Sequence, residues 1–483
     1  MNAYRKTLIA AAVAAVVTPW SAVQAADTQF DVFTPMLGDT TPVNPGSATP
    51  YKLSSPNFSQ QTIADRATQN SLVPGSNSGS WDMIAANETG PDAGRYLFMP
   101  FETSTGGVQR IDLWDSNYNT RTTTIVAPGT QGFVSGDASL WTPWGSYLTA
   151  EESWSTGGNG KGRLFEITNP TTATANGGNF VWQDIIPRVS HEGLAFDVAN
   201  SMYFVDELNG GSIYKYVSNN PNATNGNDYF ASGQTFALKV GAGGQFEGTS
   251  GSAITGLSTW QAITDLNGSA LTGISTLLAD GTIDGRATAD HASILGTGYN
   301  RPEDLEIQTL GNGTQYLYFT TTDSDNDNSA ATGKGRVYSF NLATSEVKLF
   351  ADANTIDAAT GAAAGGAFKN PDNLAIDSEG NIYIVEDQDG GVEDIWFAVD
   401  ANRDGVAESI SKWISLTTQS AESTGLYFDK VNPNKAYINV QHPADGIDRT
   451  IELTAAPVPV PGAVWLFGSA LAGFVGLRRR KAY

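Results

Sequence analysis

Between residues 90 and 455, apolar and polar positions alternate in short runs rich in β-branched and aromatic side chains, broken by Gly, Asn and Asp. Helix-length amphipathic patterns are few. A period of two between turn formers predicts strands, so the fold class expected is all-β. One unit recurs along the chain: an apolar strand carrying Tyr or Phe, an acidic or polar group, glycine, then a second apolar strand. It appears at Tyr96–Glu102 with Val108–Leu113, Tyr147–Glu152 with Arg163–Ile167, and Tyr203–Glu207 with Ile213–Tyr216. It returns at Tyr316–Asp323 with Val337–Phe340, Ile382–Asp387 with Ile395–Phe397, and Ala436–His442 with Thr450–Leu453. Further strands begin just upstream at Glu192, Glu303, Asp372 and Glu422. Six such units predict a six-bladed β-propeller over residues 91–455, with an inserted subdomain at 218–300 and an N-terminal extension at 26–90.

The pattern has a chemical consequence. In an antiparallel hairpin the start of the first strand lies beside the end of the second. Acids at strand starts (Glu192, Glu303, Asp372, Glu422) and at strand ends (Glu151, Glu152, Asp206, Glu207, Asp323, Glu386, Asp387) are therefore expected on one face of the ring. So many carboxylates around one channel mouth repel unless they are splayed into solvent or neutralised by cations, and hard cations take six to eight oxygens. Arg301, two residues before Glu303, is the cation embedded in this set. A guanidinium beside metal ions suits a phosphate, whose oxygens it holds bidentately; the bland alternative is a structural ion pair with Glu303 or Asp304.

Composition narrows the chemistry. Fifty Asp and Glu against 27 Lys and Arg give a formal charge of −23, which argues against nucleic acid and anionic lipid as partners. Cysteine is absent, which removes disulfides, thiolate metal sites and cysteine nucleophiles. Only three histidines, His191, His291 and His442, are present, too few for a multi-histidine zinc centre to be expected. Asp400-Ala-Asn-Arg-Asp404-Gly405 with Glu408 has the look of a calcium loop but carries Ser411 where an EF-hand needs its last acid; an ordinary turn is the competing reading.

Both ends carry targeting features. Arg5 and Lys6 precede the apolar run Leu8–Val17, and small residues follow before Ala26, the layout of a signal peptide over 1–25. At the other end Val458-Pro-Val-Pro461 leads into apolar Gly462–Leu477 and then Arg478-Arg-Arg-Lys481. The 456–483 segment resembles a PEP-CTERM sorting signal; a simple anchor with its basic cluster inside is the alternative. The expected location is the periplasm or outer surface of a Gram-negative cell, with membrane contact only through the C-terminal segment, and a monomer is expected.

Trp141-Thr-Pro-Trp-Gly-Ser-Tyr-Leu-Thr-Ala-Glu-Glu152, His191-Glu-Gly, Asn300-Arg-Pro-Glu-Asp304, Asn370-Pro-Asp-Asn373, Glu422-Ser-Thr-Gly425 and Val440-Gln-His-Pro443 together resemble the PhoX-type alkaline phosphatases, in order, over roughly residues 90–455. The resemblance implies a six-bladed propeller with an iron–calcium cluster in its channel mouth that hydrolyses small phosphomonoesters after export. Carried over, it implies metal ligands among Glu192, Asp206, Glu303, Asp372, Asn373 and Glu422, joined by Glu151 and Glu386 from the strand ends, with Arg301 and Glu303 as catalytic residues. One position departs: Ala150 stands where the family carries a cysteine ligand for iron, so calcium is the expected cofactor and iron lacks its thiolate. Two other readings remain open, a non-catalytic calcium-stabilised surface propeller that binds glycan or matrix, and a lactonase-type calcium hydrolase.

Overall fold

In a computed structural model, which describes residues 28–38, 41, 44–152, 160–322, 335–387 and 393–456, the recurring units are antiparallel sheets arranged as six blades around a channel. Blade one is Ala85–Ala86, Tyr96–Pro100, Val108–Asp112 and Thr122–Val126. Blade two is Gly136–Trp141, Tyr147–Glu151, Leu164–Ile167 and Phe180–Trp182. Blade three runs Leu194–Phe196, Met202–Val205, Ile213–Ser218 and Gly233–Val240. Blade four is Pro302–Thr309, Gln315–Thr321, Arg336–Asn341 and Glu346–Asp352. Blade five is Pro371–Ile376, Ile382–Glu386, Asp394–Val399 and Ser409–Leu416. Blade six is Glu422–Phe428, Lys435–Gln441 and Arg449–Ala455, and its outer strand is Phe58–Asp65 from the N-terminal region.

That outer strand closes the ring by pairing the two ends of the described chain. Two boundaries therefore differ from the sequence reading. The propeller begins well before residue 91, because Phe58–Asp65 and Ala85–Ala86 belong to blades six and one. The 218–300 stretch is only partly an insertion, since Gly233–Val240 is the outer strand of blade three. Beyond it, Gly256–Ala262 pairs with that strand and with Glu346–Asp352, joining blades three and four into one nine-stranded sheet.

The period-two pattern explains the core. Alternate side chains of each strand point toward the neighbouring blade on either side, and apolar residues occupy both faces. Among the described residues, buried apolar side chains fall into six clusters, one in each seam between adjacent blades: Phe98 with Trp141 and Tyr147 between one and two, and Phe204 with Ala150 and Leu148 between two and three. Phe319 packs with Val205 between three and four, Trp396 with Tyr318 between four and five, Trp413 with Phe428 between five and six, and Tyr437 with Trp81 between six and one. Such seams fix how far each strand start projects toward the channel. Gly193 shows the tightness, because a Cβ there would run into the backbone nitrogen of Leu305 in the next blade.

Candidate active site

The first strand of each blade starts at the channel mouth. Counting back two residues from the first apolar residue of those strands gives Asp82 before Ile84, Glu192 before Leu194, Glu303 before Leu305 and Asp372 before Leu374. Asp137 holds the same place before Ser139, and blade six puts Thr424 there, before Leu426. Five of six blades thus deliver a carboxylate, and all five are buried. The entering backbone takes the left-handed region two residues earlier at Ser80, Ser135, Arg301 and Asn370. This kink turns the chain from the mouth into the strand. Glu422 enters from that earlier position in blade six and is drawn into the same field by Asp387, Glu393, Asp82 and Asp372.

A second set comes from the ends of the second strands. Glu102, Glu152, Glu207, Thr322 and Asp387 follow those strands, and their backbone N–H groups donate to the carbonyls of Ser80, Ser135, Ser190, Arg301 and Asn370. The two sets interlock. Carboxylate oxygens of Asp137, Glu152 and Glu207 lie within 4.8 Å of one another, and so do those of Glu192, Glu207 and Glu303. Glu207 belongs to both groups.

Electrostatics follow from this crowding. Burial, then the charge of Glu303, pushes the Glu207 carboxyl up to about 7, against the pull of Arg301. Burial likewise raises Glu303 and Asp372 to about 7. Asp82, Asp137, Glu152 and Glu192 are held well above the ordinary carboxyl range by burial and by one another. Glu192 and Glu303, and likewise Glu152 and Glu207, bring carboxylate oxygens within 4.8 Å of each other, and like charges that close disfavour one another's ionisation. Among the described residues, Glu303 Oε2 and Asp137 Oδ1 are buried with no hydrogen-bond partner. Buried acceptors without donors, on carboxylates too close to ionise together, fit a site that receives hard cations.

Arg301 sits among them. Its Nε and Nη2 donate to Glu207 Oε1 at 3.1 and 2.9 Å, its Nε lies 3.2 Å from Glu303 Oε1, and its Nη1 lies 3.8 Å from Asp387. Thr322 donates to Glu303 Oε1 at 2.6 Å. Asn373 donates to Glu192 at 3.3 Å and accepts the Gly425 N–H at 2.6 Å, bridging blades three, five and six.

Of the sequence-derived candidates, the structure brings Glu192, Glu303, Asp372, Asn373, Glu422 and Arg301 together. It places three elsewhere. Glu151 takes the N–H groups of Val134 and Arg163 and pairs with the Arg163 guanidinium at 2.6 Å. Asp206 takes the Ser190 N–H and pairs with Arg286 at 2.6 Å. Glu386 takes the N–H groups of Lys369 and Asp394 and the Trp396 indole at 2.8 Å. The cause is the strand's alternation: in Glu151-Glu152, Asp206-Glu207 and Glu386-Asp387 the first acid turns back onto the blade, and the second faces the channel. Glu152 and Glu207, expected at this face from their strand ends, are also in the site. Asp82, Glu102 and Asp137 complete it beyond the expected residues; the signal for Asp82 and Asp137 was available, since they repeat the acid-x-strand spacing. Asp323, also expected here, lies outside the described residues.

The Asp400–Glu408 turn spends its oxygens on its own backbone: Asp400 accepts from Asp404 and Gly405, Asn402 from Asp404, and Glu408 from Ala401. His191 is fully buried, and burial pushes its imidazole down to about 3.

The fold of a solved phosphatase agrees with this architecture. PhoX from Pseudomonas fluorescens in complex with vanadate, a transition state analogue, has a TM-score of 0.60 at 16% identity over 86% of this chain and 97% of its own. The PQQ-bound aldose sugar dehydrogenase from Streptomyces coelicolor has a TM-score of 0.38 at 11% identity over 82% and 98%. No curated protein matches the chain in sequence. The model of the alkaline phosphatase PhoX family matches residues 138–444, well over half of the 483-residue sequence, a span that takes in Glu192, Arg301, Glu303, Asp372 and Glu422, and the chain belongs to that family.

Proposed function

We propose that this protein is an exported, metal-dependent phosphomonoesterase. The observation that carries the reading is the pair of buried carboxylate triads sharing Glu207, with the Arg301 guanidinium fixed between Glu207 and Glu303. Bound cations would supply Lewis acidity and a nucleophile derived from water at neutral pH. The oxygen-only donor set fits calcium among hard cations. A thiolate-held iron does not fit, because Ala150 is packed in the apolar seam between blades two and three and the chain has no cysteine.

The chain's own residues have three tasks. Glu207 and Glu303 hold the guanidinium in one orientation, so that its planar fork faces phosphoryl oxygens without reorganising during reaction. Asp137, Glu152, Glu192 and Asp372 offer oxygens to cations, whose charge would relieve the burial and mutual repulsion that raise these carboxyls above the ordinary range. The six seams hold strand starts and ends rigid, which preserves the alignment of nucleophile, phosphorus and leaving oxygen. Net hydrolysis adds water across the P–O ester bond, releasing an alcohol and inorganic phosphate. Hydrolysis of p-nitrophenyl phosphate by the metal-stripped and calcium-loaded protein tests the proposal: calcium-dependent turnover supports it, and no turnover with calcium or any other divalent cation overturns it.

A further inference from the structure

The channel has a second mouth. On the face opposite the carboxylates, where the turns between first and second strands gather, it widens into a cavity of about 840 Å³ lined from all six blades. Most acids lining it are already engaged. Asp197 accepts from Ala199, Ser201 and Tyr203, Asp377 from Glu379, Asn381 and Tyr383, and Asp429 from Val431 and Asn432, each closing its own turn. Arg403 is spent on the carbonyls of Gly380 and Glu379.

Glu306 is different. It stands three residues after Glu303, and the same place in the other blades is held by Ala85, Leu140, Ala195, Ala375 and Tyr427, all lining this cavity. Five blades keep this level of the channel without charge and blade four places a carboxylate there. No turn, cap or neighbouring strand requires an acid at that position, because five equivalents do without one. Glu306 is half-buried, and a charge partly withdrawn from water costs free energy unless something pairs with it. The opposite charge that acts on it is Lys430, which is largely exposed and also bonded to Glu88 at 2.7 Å. Burial pushes the Glu306 carboxyl up to about 7 against the pull of Lys430, and Glu88 adds to the rise. Trp141, Phe196 and Tyr427 are among the residues that line the same cavity. Rings beside a carboxylate in a cavity of this size are the surroundings that select a cation with an apolar body, through charge and cation–π attraction together.

We propose that the second mouth is a binding site for a small organic ammonium ion, with Glu306 as its counter-ion and Trp141, Phe196 and Tyr427 as its walls. The site lies on the far side of the ring from Arg301 and Glu303, so it is separate from the phosphatase chemistry and does not depend on it. Glu306→Ala makes blade four like blades one, three and five at this level, so the fold tolerates the change.

The test is calorimetric titration of the full-length protein, and of Glu306→Ala and Glu306→Gln, with choline and with benzylamine as probes. Saturable binding of either probe to the wild type, weakened at least tenfold in both variants while p-nitrophenyl phosphate turnover stays at the wild-type level, is the result expected. A melting temperature equal to or above the wild type shows that the variants are folded. The proposal is overturned if neither probe binds saturably at millimolar concentration, or if both variants bind as tightly as the wild type.

Discussion

Stripping metal from the carboxylate centre makes stability depend on pH in a direction opposite to that of ordinary surface acids. Glu207 and Glu303 are raised from 4.5 to about 7, and Asp372 from 3.8 to about 7. A carboxyl whose folded pKa lies above its unfolded value binds its proton more tightly in the folded state. Its contribution is therefore fully present below about pH 4 and is lost as pH rises through 7. At about 1.4 kcal/mol per unit, each group alone loses roughly 3–4 kcal/mol across that window. The three repel one another, so the same repulsion is counted in each, and about half the sum, roughly 5 kcal/mol, is the expected total. With an unfolding entropy near 2 cal/mol/K per residue, a propeller of this size loses about 5 °C in Tm for that amount. The assay is thermal unfolding in EDTA between pH 5 and 9, repeated with calcium. Tm should fall by about that much in EDTA and stay level with calcium, because cations take the place of the protons. A Tm in EDTA that is flat or rises from pH 5 to 8, or one that calcium leaves unchanged at pH 8, refutes the reasoning. A variant combining Glu207→Gln, Glu303→Gln and Asp372→Asn should show a shallower slope, the remainder coming from Asp82, Asp137, Glu152 and Glu192, which burial also raises.

Arg301→Lys keeps the charge but loses the planar fork, and turnover of p-nitrophenyl phosphate should fall about a hundredfold, the cost of one transition-state contact, with Tm little changed. Glu151→Gln should do the reverse: breaking its buried pair with Arg163 costs about 3–5 kcal/mol of stability, measured by denaturant unfolding, while calcium affinity of the folded protein is kept. Within the doublet of blade three, Glu207→Gln should weaken calcium binding at least tenfold by calorimetry, and Asp206→Asn should leave it within twofold. Intact mass of the protein taken from its native envelope should show a mature chain beginning near Ala26, and a cytoplasmic species that keeps Met1 would contradict the export reading.

The blades were legible because each seam needs apolar residues on both faces of a strand, and that demand writes Tyr96–Pro100 or Ile382–Glu386 plainly into the chain. Blade one's first strand was not legible, because Ala85–Ala86 is two residues long and too short to show a period. With it went Asp82, although its spacing to Ile84 repeats that of Glu192 to Leu194. The ring closure was hidden for another reason: Phe58–Asp65 reads as a strand but nothing local says that it pairs with Arg449–Ala455. Within the acid doublets, sequence shows two carboxylates and not which one faces the channel. That choice depends on where pleating leaves each strand end and on partners such as Arg163, Arg286 and Trp396, which arrive from neighbouring strands or from the insertion.

The central claim is that buried carboxylates around Glu207 hold cations that make Arg301 part of a phosphatase. It is tested most directly by measuring metal content and p-nitrophenyl phosphate hydrolysis on the same purified protein, before and after EDTA and after calcium is restored. At least two oxygen-liganded cations per chain are expected, with activity lost when they are removed, recovered with calcium, and absent in Arg301→Ala. A protein that binds no cation, or one that binds calcium and hydrolyses no phosphomonoester, would contradict it.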